Sequence, residues 1–207
     1  RFASEHMPHA GHSGVEAYAS PDELPDQFEP EVVVFAIKPQ QMAETVPLFA
    51  RFAHMETVFL SIAAGTPIDF FEQTLGADAA VVRAMPNMPA AIRLGISIAC
   101  ANAEVTSGQL DTCTALLKAV GEVHVIHDEE LLDTVTAVSG SGPAYLFLLI
   151  ECLAEVAEMM GLPGELAARL ALVTVAGSGQ LAITSDLPPA QLRHDVTSPA
   201  GTTEAAL

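Results

Sequence analysis

VTAVSGSGPAYLFLLIECLAEVAEMMG, residues Val135 to Gly161, decides how the rest of the chain must be read. A Ser-Gly-Ser-Gly run and Pro143 lead into an apolar segment that stops at Gly161. Proline in a first helical turn costs little, because its missing N–H would have no partner there. Ser139 or Ser141 is placed to cap, and Gly161 suits the left-handed residue that closes many helices. Glu151, Glu155 and Glu158, spaced four and three apart, form one narrow charged stripe, and apolar residues cover nearly all the remaining circumference. A helix of that kind has to be buried against several others. Glu151 interrupts it too early for it to span a bilayer. It reads as the central helix of an all-helical region, shared with a second subunit.

Working outward, the 207 residues, half of them hydrophobic, are enough for one large core or two modest ones. The formal charge is −18, and Lys38 and Lys118 are the only lysines. That balance excludes a nucleic-acid backbone as partner, which needs clustered cations. It still allows a small anion held by backbone N–H groups; otherwise the acidity is a solvated surface. Cys100, Cys113 and Cys152 are odd in number and form no Cys-x-x-Cys pair, which points to a reducing, cytoplasmic setting. Cys152 falls in the apolar helix, where a thiol behaves as a small apolar group. No signal peptide or membrane span is expected. The chain lacks a starting methionine and stops inside a helical pattern, so a fragment is expected.

His6, His9 and His12 have a spacing that brings metal to mind. Pro8 and two glycines break any helix that would align them, so a loop without metal is expected. Pro21 to Pro30 reads as an acidic turn or short helix. Glu31 to Pro39, EVVVFAIKP, reads as a fully buried parallel strand, and Gln40 to Phe52 as a helix. Glu56 to Ala64 is a second strand, Pro67 to Leu75 a short helix, and Ala79 to Met85 a third strand. This alternation builds a parallel α/β sheet, and such sheets bind ligands beyond the carboxyl ends of their strands. Those ends are Ala36-Ile37-Lys38-Pro39, Ser61 to Gly65 and Met85-Pro86-Asn87. Ala63, Ala64 and Gly65 would let a flat ligand approach closely, or they are ordinary turn residues. Two more strands, Gly95 to Ala101 and Val123 to His127, flank a helix from Thr106 to Val120. From Asp128 onward only helices are read: 129–138, 143–160, 163–184 and 188–194. Ala176, Gly177, Ser178 and Gly179 would let another helix pack closely. The fold class is therefore α/β, then all-α, with residues 1–127 in the first domain and 128–207 in the second.

The closing stretch, Val196 to Leu207, reads VTSPAGTTEAAL. Hydroxyls, Pro199 and Gly201 make a turn, and a helical pattern begins at Thr203. Such a helix start is either a plain cap or a site for a carboxylate or phosphate. Ser139 to Gly142 carries the same two readings.

AIKPQ at 36–40, SIAAG at 61–65, RAMPNMPA at 83–90, SGSGPAY at 139–145 and TSPAGTTEAAL at 197–207 together resemble the pyrroline-5-carboxylate reductase family. The resemblance covers nearly the whole chain. It implies a partial Rossmann-type dinucleotide-binding domain followed by a helical dimerisation domain that interlocks as a homodimer, often within a higher assembly. It also implies reduction of 1-pyrroline-5-carboxylate to L-proline with NADPH or NADH, the last step of proline synthesis. By position, Ala36, Ile37, Lys38, Pro39, Ile62, Ala63 and Ala64 would line the cofactor, with Asn87 near the nicotinamide. Ser198, Gly201, Thr202 and Thr203 would hold the substrate. Thr203 is the candidate catalytic group, a hydroxyl donor that orients the protonated imine. Hydride transfer needs two rings held face to face in a dry cleft, so no strong general acid is required.

The chain departs from the family pattern in places. The glycine-rich strand–turn–helix that cradles pyrophosphate is expected to precede Arg1, and further helices to follow Leu207. Met88 stands where the family usually has Thr, and Ala200 where it usually has Gly. Ala200 fits only if its backbone keeps a negative φ. The alternatives are a related imine reductase or hydroxyacid dehydrogenase, and a non-catalytic dimerisation or ligand-binding module.

Overall fold

The computed structural model describes residues 14–54 and 56–207; the three histidines at 6, 9 and 12 lie outside them. Among the described residues there are two compact units, one ending at Ser141 and the other comprising Gly142–Leu207.

The first unit is built on a five-stranded sheet in the order β1 (Val32–Phe35), β2 (Val58–Ser61), β3 (Ala80–Met85), β4 (Gly95–Ala101), β5 (Gly121–Ile126). β1, β2 and β3 run parallel, as the alternation predicts, and β5 is parallel to β4. β4 returns antiparallel to β3. The link between them, Pro86 to Leu94, holds only a 3₁₀ turn at Met88–Ile92 and is too short for a parallel crossover.

β2 is buried on both faces, as expected. β1 is not: among the described residues it is an edge strand, in which Val33 and Phe35 are buried while Val34 is 47% exposed. The expected helix at 40–52 is broken into a 3₁₀ turn Pro39–Gln41, a single α turn α1 (Met42–Thr45) and a 3₁₀ stretch Val46–Phe52. Pro47 causes this, since its ring lacks an N–H and clashes with the carbonyl four residues earlier.

Residues of alternate parity feed two cores. Val33, Phe35, Phe59 and Val81 meet α1, Phe52 and α2 (Ile68–Leu75) on one face, where the Phe35 ring stacks 6.0 Å from Phe59 and 5.6 Å from Phe71. α2 supplies Ile68, Phe71 and Leu75, spaced three and four apart on one stripe. On the other face Val58, Leu60, Ala80, Val82 and Ala84 meet Cys113 and Leu117 of α3 (Ser107–Lys118). α3 opens on a reciprocal capping box between Thr106 and Gln109.

The helical character begins near Asp128, where it was read, but the compact first unit extends to Ser141. α4 (Leu131–Val135) buries Leu132 completely in the first core and continues into a π turn, Thr136–Gly140. This turn replaces the expected cap. Ser139 Oγ donates back to the Val135 carbonyl, and Ser141 N–H bonds to Thr136 O across a five-residue step.

The second unit comprises α5 (Gly142–Met159), α6 (Gly164–Thr184), α7 (Pro189–Asp195) and α8 (Thr202–Ala206). α5 ends as predicted at Gly161, φ +100°, where Gly161 N–H bonds to Glu158 O and Leu162 N–H to Ala157 O. Short linkage at Leu162-Pro163 lays α5 against α6, whose buried residues in the single chain are Ala167 and Ala171. Gly177 and Gly179 face open space. In the single chain α5 is not enclosed: Tyr145 to Leu149, Leu153 and Val156 are all exposed, and so is Cys152. By length and composition alone, the helical run Leu131–Met159 and α6 would each suffice to cross a bilayer.

Candidate active site

In the first unit the carboxyl ends of three parallel strands lie side by side. The ladder pairs Phe35 with Ser61 and Ser61 with Arg83, so the residues after each strand share one edge. Ala36, Lys38 and Pro39 are exposed there and Ile37 is half-buried. Ile62 N–H donates to the Phe35 carbonyl, which joins the first two loops directly. Ala63 is buried, while Ile62 and Ala64 are half-buried. Gly65 adopts φ +72°, and a side chain added there would meet no atom. At Gly65 the loop therefore borders open space. Asn87 is half-buried; its Oδ1 accepts from Ile96 N–H at 3.0 Å, so its oxygen braces the β3–β4 link.

Glu129 and Arg83, which the sequence reading passed over, sit beneath this edge. Arg83 is 6% exposed, with Nη1 2.7 Å from Glu129 Oε1 and Nη2 3.8 Å from Asp133. The same Oε1 accepts from Ile68 N–H at 2.8 Å. The signal was available in principle: a lone arginine in a buried apolar strand is rarely left without a partner. Cys100, opposite Arg83 in the ladder, is pushed above the usual thiol range by burial first and then by the charges of Glu129 and Asp128. Close by, Gly140 of the π turn lies against Met85; a Cβ there would come within 2.6 Å of the Met85 methyl.

In the second unit Ser198, Thr202 and Thr203 are exposed and Gly201 is half-buried. Ser198-Pro199-Ala200-Gly201 is a β-turn closed by Gly201 N–H to Ser198 O at 3.0 Å. Proline in its second place and a left-handed third residue make it type II. That third residue is Ala200, at φ +57°, so the condition under which alanine fits there without strain is not met. Its N–H donates to the Glu204 carboxylate one helical turn ahead. A Cβ on Gly201 would meet Ser198 Oγ unless that hydroxyl rotated, and would lie 3.0 Å from the Ser198 carbonyl; the Gly201 N–H is committed to the turn. α8 begins at Thr202, one residue before the expected start.

Residues 129–207 match the family model for pyrroline-5-carboxylate reductase dimerisation. A pyrroline-5-carboxylate reductase of Pseudomonas aeruginosa is 47% identical over 177 residues, 86% of this chain and 65% of that protein. One from Synechocystis is 40% identical over 188 residues, 91% of this chain and 69% of that protein. This chain belongs to the pyrroline-5-carboxylate reductase family. The crystal structure of the Plasmodium falciparum pyrroline carboxylate reductase with NADP bound superposes with TM-score 0.77 at 32% identity, covering 85% of this chain and 66% of that one. The chain thus spans about two thirds of the length of these relatives. Family membership accounts for the two-part fold, a mostly parallel dinucleotide-type sheet followed by a dimerisation region. That region begins at Glu129, the residue that reaches back to Arg83 and Ile68.

Proposed function

We propose that the protein reduces 1-pyrroline-5-carboxylate to L-proline with NADPH or NADH, the last step of proline synthesis. Family membership along most of the chain carries this reading. The open edge at Ala36–Pro39, Ile62–Ala64 and Asn87 fits the cofactor by its small residues and by Gly65, whose missing side chain leaves room. Bound there, a reduced nicotinamide supplies the hydride. The chain's own residues do the rest. Asn87, held by Ile96 N–H, keeps the β3–β4 link in place beside the ring. Ser198, Thr202 and Thr203 offer hydroxyls to the substrate carboxylate and ring nitrogen, and Gly201 gives the turn its close approach. Thr203 orients the protonated imine, whose carbon accepts the hydride while nitrogen keeps its proton as the amine of proline. Preorganised positioning of this kind is worth orders of magnitude in rate without any strong acid.

The apolar faces of α5 and α6 take a second copy of the chain as partner, giving a homodimer that can build larger assemblies. The dimerisation match over both helices supports a protein partner for this surface in place of a bilayer. Three free cysteines agree with a reducing cytoplasm. NADPH absorbance followed with pyrroline-5-carboxylate tests the activity. Loss of absorbance is expected; oxidation with other imines alone would point to a related reductase, and no oxidation to a non-catalytic module. Thr203→Val should raise KM for pyrroline-5-carboxylate or lower kcat while cofactor affinity holds, and an unchanged kcat/KM would remove Thr203 from the site.

A further inference from the structure

We infer that Glu129 is a positioning residue for the dinucleotide edge, tying together the two loops that flank it; the inference rests on the cofactor reading above. One carboxylate oxygen, Oε1, accepts from two donors on different elements, each adjoining one of those loops. Ile68 N–H, at 2.8 Å, opens α2 just after Ile62–Pro67. Arg83 Nη1, at 2.7 Å, lies on β3 two residues before Met85-Pro86-Asn87. Glu129 is thereby bonded beside both loops at once. Arg83 has Asp133 as its other carboxylate, but at 3.8 Å and with a side chain 85% exposed that contact is weak.

Stability alone is a poor account of such a pair. Removing two charges from water costs so much that a packed apolar pair of similar size is often as stable or more so. What the apolar pair would lack is the directional hold on Ile68 N–H and on β3. Glu129 also belongs to the segment that matches the dimerisation model, so the same bond links that segment to the cofactor loops.

Fold and positioning can therefore be separated in the full-length protein. Glu129→Gln keeps an acceptor for Ile68 N–H and loses the charge; Arg83→Met with Glu129→Met replaces the pair by apolar side chains. NADPH affinity is read directly by its fluorescence, beside circular dichroism and the KM for pyrroline-5-carboxylate at saturating NADPH. The double variant should keep the wild-type spectrum and bind NADPH roughly tenfold more weakly, about 1.4 kcal/mol. Glu129→Gln should fall between it and wild type, and the substrate KM at saturating NADPH should stay within about twofold in both, since neither Glu129 nor Arg83 is among the residues assigned to the substrate. Wild-type affinity in a folded double variant overturns the inference and leaves the cofactor reading standing. Should the double variant not fold, Glu129→Gln decides by the same criterion. A wild-type protein that binds no NADPH would remove the cofactor reading, and this inference with it.

Discussion

Ala200→Gly should stabilise the protein. Ala200 sits at φ +57° in the third place of a type II turn, where a Cβ is crowded by the backbone. For an L-residue the left-handed conformation costs about 1–2 kcal/mol. Glycine does not bear that cost, but its freer unfolded chain takes back roughly 0.5–1 kcal/mol. The difference, about 0.75 kcal/mol in favour of glycine at the middle of both ranges, corresponds to a rise of about 1.5–3 °C in Tm for a chain of this size. The assay is thermal unfolding by circular dichroism at matched protein concentration, because association would otherwise shift the midpoint. Gly201→Ala is the opposing control: its φ is negative, so there is no strain to relieve, and its Cβ would crowd the Ser198 carbonyl at 3.0 Å, so Tm should not rise. A Tm for Ala200→Gly that is unchanged or lower would show that the residue is not left-handed in solution, and the strained-turn account would fail. A gain in stability with a lower KM for pyrroline-5-carboxylate would place the strain on the binding path as well.

Gly121→Ala should cost more than about 2 kcal/mol, because the added Cβ would overlap the Gly95 carbonyl, backbone that cannot swing aside; an unshifted urea midpoint would contradict the β4–β5 register. Burial pushes the Cys113 thiol up to about 11 from an ordinary 9. The unfolded chain then loses its proton first, so this contribution to stability is complete below pH 9 and is lost as pH rises toward 11; Cys113→Ala should flatten that slope, and an unchanged slope would reassign it. Leu149→Glu places a charge on the exposed apolar face of α5 and should dissociate the dimer, read by light scattering; a variant still dimeric would move the interface elsewhere.

Much of the fold was legible because local pattern and long-range packing agree. VFLS and AVVRAM are apolar runs bounded by turn residues, and they became the central strands. The helix after Thr106, the Gly161 stop and the division into strands and then helices were likewise local facts. The misses have different causes. EVVVF looks as buried as the other strands because composition reports apolarity and not position in the sheet, and among the described residues β1 is at an edge. The single proline at 47 outweighed a helical pattern around it. The contact of Glu129 with Arg83 spans 46 residues, and no periodicity reports a pair so far apart.

The candidate site shows the same division more sharply. Small residues marked its loops, but smallness has two physical causes that look alike in sequence. Gly161 and Gly65 are small because their backbones are left-handed, whereas Gly140 and Gly201 are small because Met85 and Ser198 stand where a Cβ would go. Only the second kind says what the residue touches. Ala200 completes the contrast, being left-handed without a glycine's licence and held there by the turn bond beneath it and by Glu204 ahead. A turn that keeps a strained residue in place through two separate bonds is specified more tightly than its composition implies. That specification belongs to the same segment whose hydroxyls are assigned to the substrate.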